Sequence, residues 1–89
     1  MGHADFRVGG KIFATMGYPN SDFGMVKLSP ADQAYFVDPE RESFMPAKGA
    51  WGKQGATIVK LKAVKKRDLQ EAMKRAWQGT ASKARIPGR

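Results

Sequence analysis

The stretch Ala47 to Lys62, AKGAWGKQGATIVKLK, joins a glycine-rich basic segment to a regular alternation of side chains. The alternation decides the fold class. Over Ala56 to Lys62, the residues Thr57, Val59 and Leu61 fall on one side of an extended chain and Ile58, Lys60 and Lys62 on the other. This pattern predicts a strand with one face on a core and its lysines directed away from it. The segment before it holds Gly49, Gly52 and Gly55 with Lys48, Lys53 and Trp51. Glycines that accept positive φ, two cations and a ring seldom wholly buried predict a tight basic loop presenting an aromatic.

Working outward from this strand, Leu69, Ala72, Met73, Ala76 and Trp77 recur at the spacing of one helical face. Trp77, on that stripe, is expected in the core. Gly79 is read as the end of the helix, with Lys74 and Arg75 complementing its dipole, and TASKARIPGR from Thr80 onward as a mobile basic tail. Towards the N-terminus, Pro46 limits Phe44 to Lys48 to an edge strand or a loop. Ser29-Pro30 reads as a helix start, an N-cap hydroxyl followed by proline at the first position, and Asp38-Pro39 as its stop. Phe23 to Leu28 is a third strand of a meander. Its first two strands, Phe6 to Val8 and Lys11 to Met16, are joined by Gly9-Gly10, which suits a primed hairpin turn and would set Phe6 opposite Phe13 and Arg7 opposite Ile12. The resulting order, β-β-β-α-β-β-α, predicts a two-layer α+β domain over residues 1–81, with an antiparallel sheet against helices, followed by a basic tail at 82–89.

Two motifs, HADFRVGGKIFAT at His3 to Thr15 and AKGAWGKQGAT at Ala47 to Thr57, together with Val26-Lys27-Leu28-Ser29-Pro30, carry a family likeness. Across His3 to about Ala81 the chain resembles the MmcQ/YjbR family of small bacterial α+β proteins described as DNA-binding. The resemblance implies the same element order and a role in binding DNA, and it supplies no catalytic residue set. Family members usually begin with a further amphipathic helix ahead of the position of His3, and nothing here corresponds to it.

Composition narrows the chemistry. At 89 residues the chain has room for one small domain. Without cysteine it can form no disulfide, thiolate metal site or cysteine nucleophile, which fits a cytoplasmic protein. No apolar run approaches the ~18 residues of a membrane span, so no membrane association is expected. The net charge of +8 is unevenly spread: residues 1–28 sum to +1, residues 29–46 to −3 and residues 47–89 to +10. A polyanionic partner would gain from counterion release along the basic half.

The candidate nucleic-acid-binding residues are Lys60 and Lys62 on the open strand face and Lys48 and Lys53 in the loop for phosphates. Trp51 and Gln54 are candidates for bases, and Arg7 and Lys11 would extend the surface if the first hairpin lies beside the last strand. Each has a plainer alternative. Gly52-Lys53-Gln54-Gly55 is either a phosphate-contacting GxxG element or a hairpin turn, and Trp51 either stacks on a base or packs over the sheet. His3 is expected to hydrogen-bond Asp5, while Asp38, Glu40 and Glu42 read as solvated loop charges rather than a cation site. No serine has a nucleophile-elbow context. The chain therefore reads as non-enzymatic, without a cofactor, and as binding nucleic acid with little sequence selectivity, and the resemblance implies DNA in preference to RNA. The alternative is a protein-interaction or dimerisation module. Without the further N-terminal helix, strands one to three carry apolar residues on both faces that two helices are too few to cover, so that a second copy or a missing segment would complete the core.

Overall fold

The computed structural model describes residues 4–17, 20–38 and 42–84. Five antiparallel strands form one sheet: β1 (Ala4–Val8), β2 (Lys11–Met16), β3 (Phe23–Lys27), β4 (Phe44–Pro46) and β5 (Ala56–Lys60), in the spatial order β1-β2-β3-β5-β4. Three helices accompany them, α1 (Pro30–Phe36), α2 (Gly49–Lys53) and α3 (Lys66–Ala84). The α+β order read from the sequence is the order found, with α2 added as a short helix between β4 and β5.

Local chemistry explains most of these elements. Gly9 and Gly10 take φ of 59° and 78°, the paired positive values that a primed two-residue hairpin turn requires. The Ser29 hydroxyl accepts a hydrogen bond of 3.1 Å from the Asp32 N–H and caps α1, with Pro30 in its first turn. β4 is an edge strand of three residues ending in Pro46.

The core is a single cluster. Ala14, Val26 and Thr57 lie in one cross-strand row, and Val59 sits beside Phe44 and Gly24 in the next. Ala14, Val26, Thr57 and Val59 are fully buried, as are Ala72 and Ala76 of α3, whose small side chains let the helix lie close over β1 to β3. Phe36 of α1 meets Phe44 with ring centroids 5.1 Å apart. Arg75 of α3 ties α1 to α3. It donates to Asp32 at 3.1 Å and to Glu71 at 3.0 Å, and its guanidinium lies 4.6 Å from the Tyr35 ring centre. These contacts, the Glu71 bond first, raise its pKa above the ordinary arginine value against the opposing effect of desolvation.

Several expectations are corrected. Arg7 does pair with Ile12, but Phe6 pairs with Ala14, because an irregularity between Phe6 and Arg7 inserts Phe13 as an extra residue in β2. The bulge lets Phe13 join the same core cluster as its neighbour Ala14, which strict alternation would forbid. β5 ends at Lys60, so Lys62 lies in the following turn and not on the strand face. α3 runs through Gly79 to Ala84, where a cap and a mobile tail were expected from Gly79 onward. Trp77 is 48% exposed and not a core residue. At 100° per residue it lies about 120° around α3 from the line through Ala72 and Ala76, on the flank of the packed stripe. On the reverse of the sheet, Thr15 and Met25 are buried and Ile58 and Met45 half-buried, so the large apolar groups most exposed among the described residues are Phe6, Tyr35, Trp51 and Trp77. The readings of His3 and Glu40, and the tail from residue 85, lie outside the described residues.

Candidate nucleic-acid interface

Strand register fixes which candidate residues meet. Lys27 pairs with Ala56 and Phe23 with Lys60, so β5 runs from the Lys27 end of the sheet to the Phe23 end. In β2, Ala14 pairs with Val26 and Met16 with Gly24, which carries Lys11 and the Gly9-Gly10 turn to the Lys27 end as well. α2 leads directly into Ala56 and lies there too. Arg7, Lys11, Lys48, Trp51, Lys53 and Gln54 therefore share one end of the sheet, and all six are exposed. The structure does not bring the remaining two to them. Lys60 is four residues along β5, about 13 Å away, and Lys62 lies beyond it, paired with Asp22 at 3.3 Å. The hairpin is also not adjacent to β5, since β3 intervenes between β2 and β5.

The AKGAWGKQGAT segment is neither of the two arrangements expected for it. It holds the helix α2, and two of its three glycines, Gly52 and Gly55, are set by close packing, while Gly49 meets nothing nearby and takes a φ of 70°. A Cβ on Gly52 would stand 1.8 Å from the Ala47 carbonyl oxygen, and one on Gly55, at φ 113°, would stand 1.8 Å from that of Leu28. The Gln33 side chain locks the segment by donating to the Gly52 and Ala56 carbonyl oxygens at 2.8 and 3.0 Å. The Gly55 N–H donates to Gly52 O, and the Gln54 N–H is shared by Ala50 O and Trp51 O. These two N–H groups are therefore engaged within the segment and not free to cradle an anion. Trp51, the subject of two alternative readings, is 53% exposed and has no ring partner among the described residues.

Lys27 was missed by the sequence reading, although its place as the one charged residue at the end of the FGMVK strand was a usable signal. It is exposed and lines a cleft of about 160 Å³ together with Ser29, Trp51, Gln54, Gly79 and Thr80, where the last turns of α3 approach α2. Among the described residues, Lys11, Lys27, Lys48 and Lys53 form no ion pair. The carboxylates are placed differently. Asp32 and Glu71 are engaged by Arg75, Asp22 by Lys62, and Asp38, Glu42 and Asp68 line a separate cleft of about 490 Å³ with Lys65 and Arg67, beside the start of α3. No group of His, Asp and Glu among the described residues is arranged to hold a metal ion, and no helix among them is long and apolar enough to cross a membrane.

The YjbR family model matches residues 1–79. The chain belongs to the YjbR family. No curated protein and no solved structure matches it. The YjbR match spans both ends of the sheet and all eight residues read from the sequence as a nucleic-acid surface, and it ends at Gly79, within α3.

Proposed function

We propose that the chain is a non-enzymatic nucleic-acid-binding module whose contact surface is the Lys27 end of the sheet. The observation that carries this reading is the segregation of charge. Among the described residues, Lys11, Lys27, Lys48 and Lys53 stand exposed and without an ion pair at the same end of the sheet as Trp51, while the acidic side chains lie elsewhere or are already paired. Such a surface gains affinity by releasing condensed counterions from a phosphate backbone. Contacts from lysine side chains to phosphates carry no base information, so binding through this end is weakly sequence-selective. The likeness to the MmcQ/YjbR proteins favours DNA over RNA, and the absence of cysteine fits work in the cytoplasm.

The test compares two sets of variants by fluorescence anisotropy with labelled DNA over a range of salt. Replacing Lys27, Lys48 and Lys53 together by glutamine should weaken binding similarly for all sequences. It should also flatten the slope of log K against log salt by about 0.9 for each duplex phosphate that is no longer neutralised. Replacing Lys60 and Lys62 should change the slope less, since they stand apart from the others. A triple variant that binds like the parent refutes the surface assignment.

A second reading, self-association, is favoured by one observation. Phe6 is 37% exposed on β1, which pairs with a neighbour on one side only among the described strands. Sedimentation equilibrium of the parent beside Phe6→Ser distinguishes it: a dimer that the substitution dissociates supports this reading, and a monomeric parent removes it.

A further inference from the structure

We infer that the cleft between α2 and the last turns of α3 receives an unstacked base of single-stranded DNA, an inference that rests on the nucleic-acid reading and adds the form of the strand. Trp51 contributes a half-exposed indole to the lining of this cleft, and such a ring stacks on any base through its apolar face. The ring is held in advance. Gly52, next to it, is pressed against the Ala47 backbone, and Gln33 fastens the Gly52 carbonyl, so ordering the platform on binding costs little.

The second observation is Gly79. It lies inside a 19-residue helix, where glycine is a poor choice, yet it does not have positive φ and nothing lies within 4 Å of where its Cβ would be. Neither backbone geometry nor packing requires it. Its effect is on the cleft, whose lining it shares with Trp51: the missing side chain leaves the space beside the ring open. Lys27 supplies a cation for the phosphate next to the inserted base, and Gln54 and Thr80 supply polar groups for its edge. A base in an intact duplex is covered on both faces by its neighbours and cannot enter without being unpaired, so the cleft selects for single strands.

The test measures binding of the parent, Trp51→Ala and Gly79→Leu to a labelled oligothymidylate and to a duplex with the same number of phosphates, at one low salt concentration, with melting curves for all three proteins. The parent is expected to prefer the single strand by about tenfold or more, the worth of one stacked base. Trp51→Ala should remove the preference by deleting the ring. Gly79→Leu should remove it by filling the space, while its melting temperature stays level or rises. Residual binding to both forms should survive in each variant. Equal affinity of the parent for both DNA forms, or a preference retained in both variants, overturns the inference and leaves the basic surface standing. Failure of the parent to bind either form overturns the inference together with the reading beneath it.

Discussion

The two ends of the sheet differ less in the pairing of their cations, since Lys60 at the Phe23 end is also exposed and without an ion pair among the described residues, than in the carboxylates that stand near them. At the Phe23 end, Lys62 is paired with Asp22, and Lys65 and Arg67 share a cleft with Asp38, Glu42 and Asp68. At the Lys27 end, Lys11, Lys27, Lys48 and Lys53 share one end of the sheet with an exposed tryptophan and have no carboxylate partner among the described residues. Net charge alone hides this contrast. The residues from 47 onward sum to +10, but only part of that charge is free to meet a polyanion, and strand register decides which part.

The ends also differ in what holds them, and this difference gives the largest expected effect. Phe36 and Phe44 anchor α1 over the β4 side of the sheet through buried ring contact, and Phe36 is 1% exposed. Phe36→Ala should cost about 3–5 kcal/mol, a large share of the stability of a domain this small, as read by urea denaturation. A destabilisation below about 1 kcal/mol would mean that α1 contributes little to the core.

The basic end is held instead by backbone against backbone. Gly55→Ala puts a methyl group into the Leu28 carbonyl at a positive φ, and should cost about 2–3 kcal/mol from overpacking and strain together. Unlike Phe36→Ala, it should also displace α2 and lower DNA affinity under conditions where the protein remains folded. An unchanged affinity in the folded Gly55→Ala protein would separate α2 from the binding surface and break the comparison.

The smallest effect belongs to the Lys62–Asp22 pair. Its side chains are 84% and 54% exposed, and such pairs contribute little in water. Lys62→Gln should leave the melting temperature unchanged within error and should leave DNA affinity closer to the parent than Lys53→Gln does. The reverse ranking would move the contact surface to the opposite end of the sheet.

The sequence made the element order legible because its signals are local: a Gly9-Gly10 turn, a capped start at Ser29-Pro30, alternation from Ala56 and a helical stripe from Leu69. What it concealed depends on partners distant in the chain. The bulge at Phe13 carries no glycine or proline to announce it. Gly52 and Gly55 read as turn residues, but their reason lies in close approach to Ala47 and Leu28, which only the folded chain brings near. Gly79 reads as a helix stop and is passed over. Trp77 fits the apolar stripe, and only the placement of Ala72 and Ala76 over the sheet puts it on the flank. The candidate site was legible as a set of residue types and not as a place. The grouping of Arg7 and Lys11 with the α2 lysines, and the separation of Lys60 and Lys62 from them, follow from pairing registers that no local pattern contains.

The two margins of the sheet are unequal. β4 is three residues long and ends in Pro46, which has no N–H to offer a neighbour, whereas β1 runs for five residues with a pairing partner on its β2 side alone among the described strands. An assembly built by strand addition would join β1 to β1 across a two-fold axis and then present only β4 at each outer margin, so growth would close at two copies instead of propagating as a fibre.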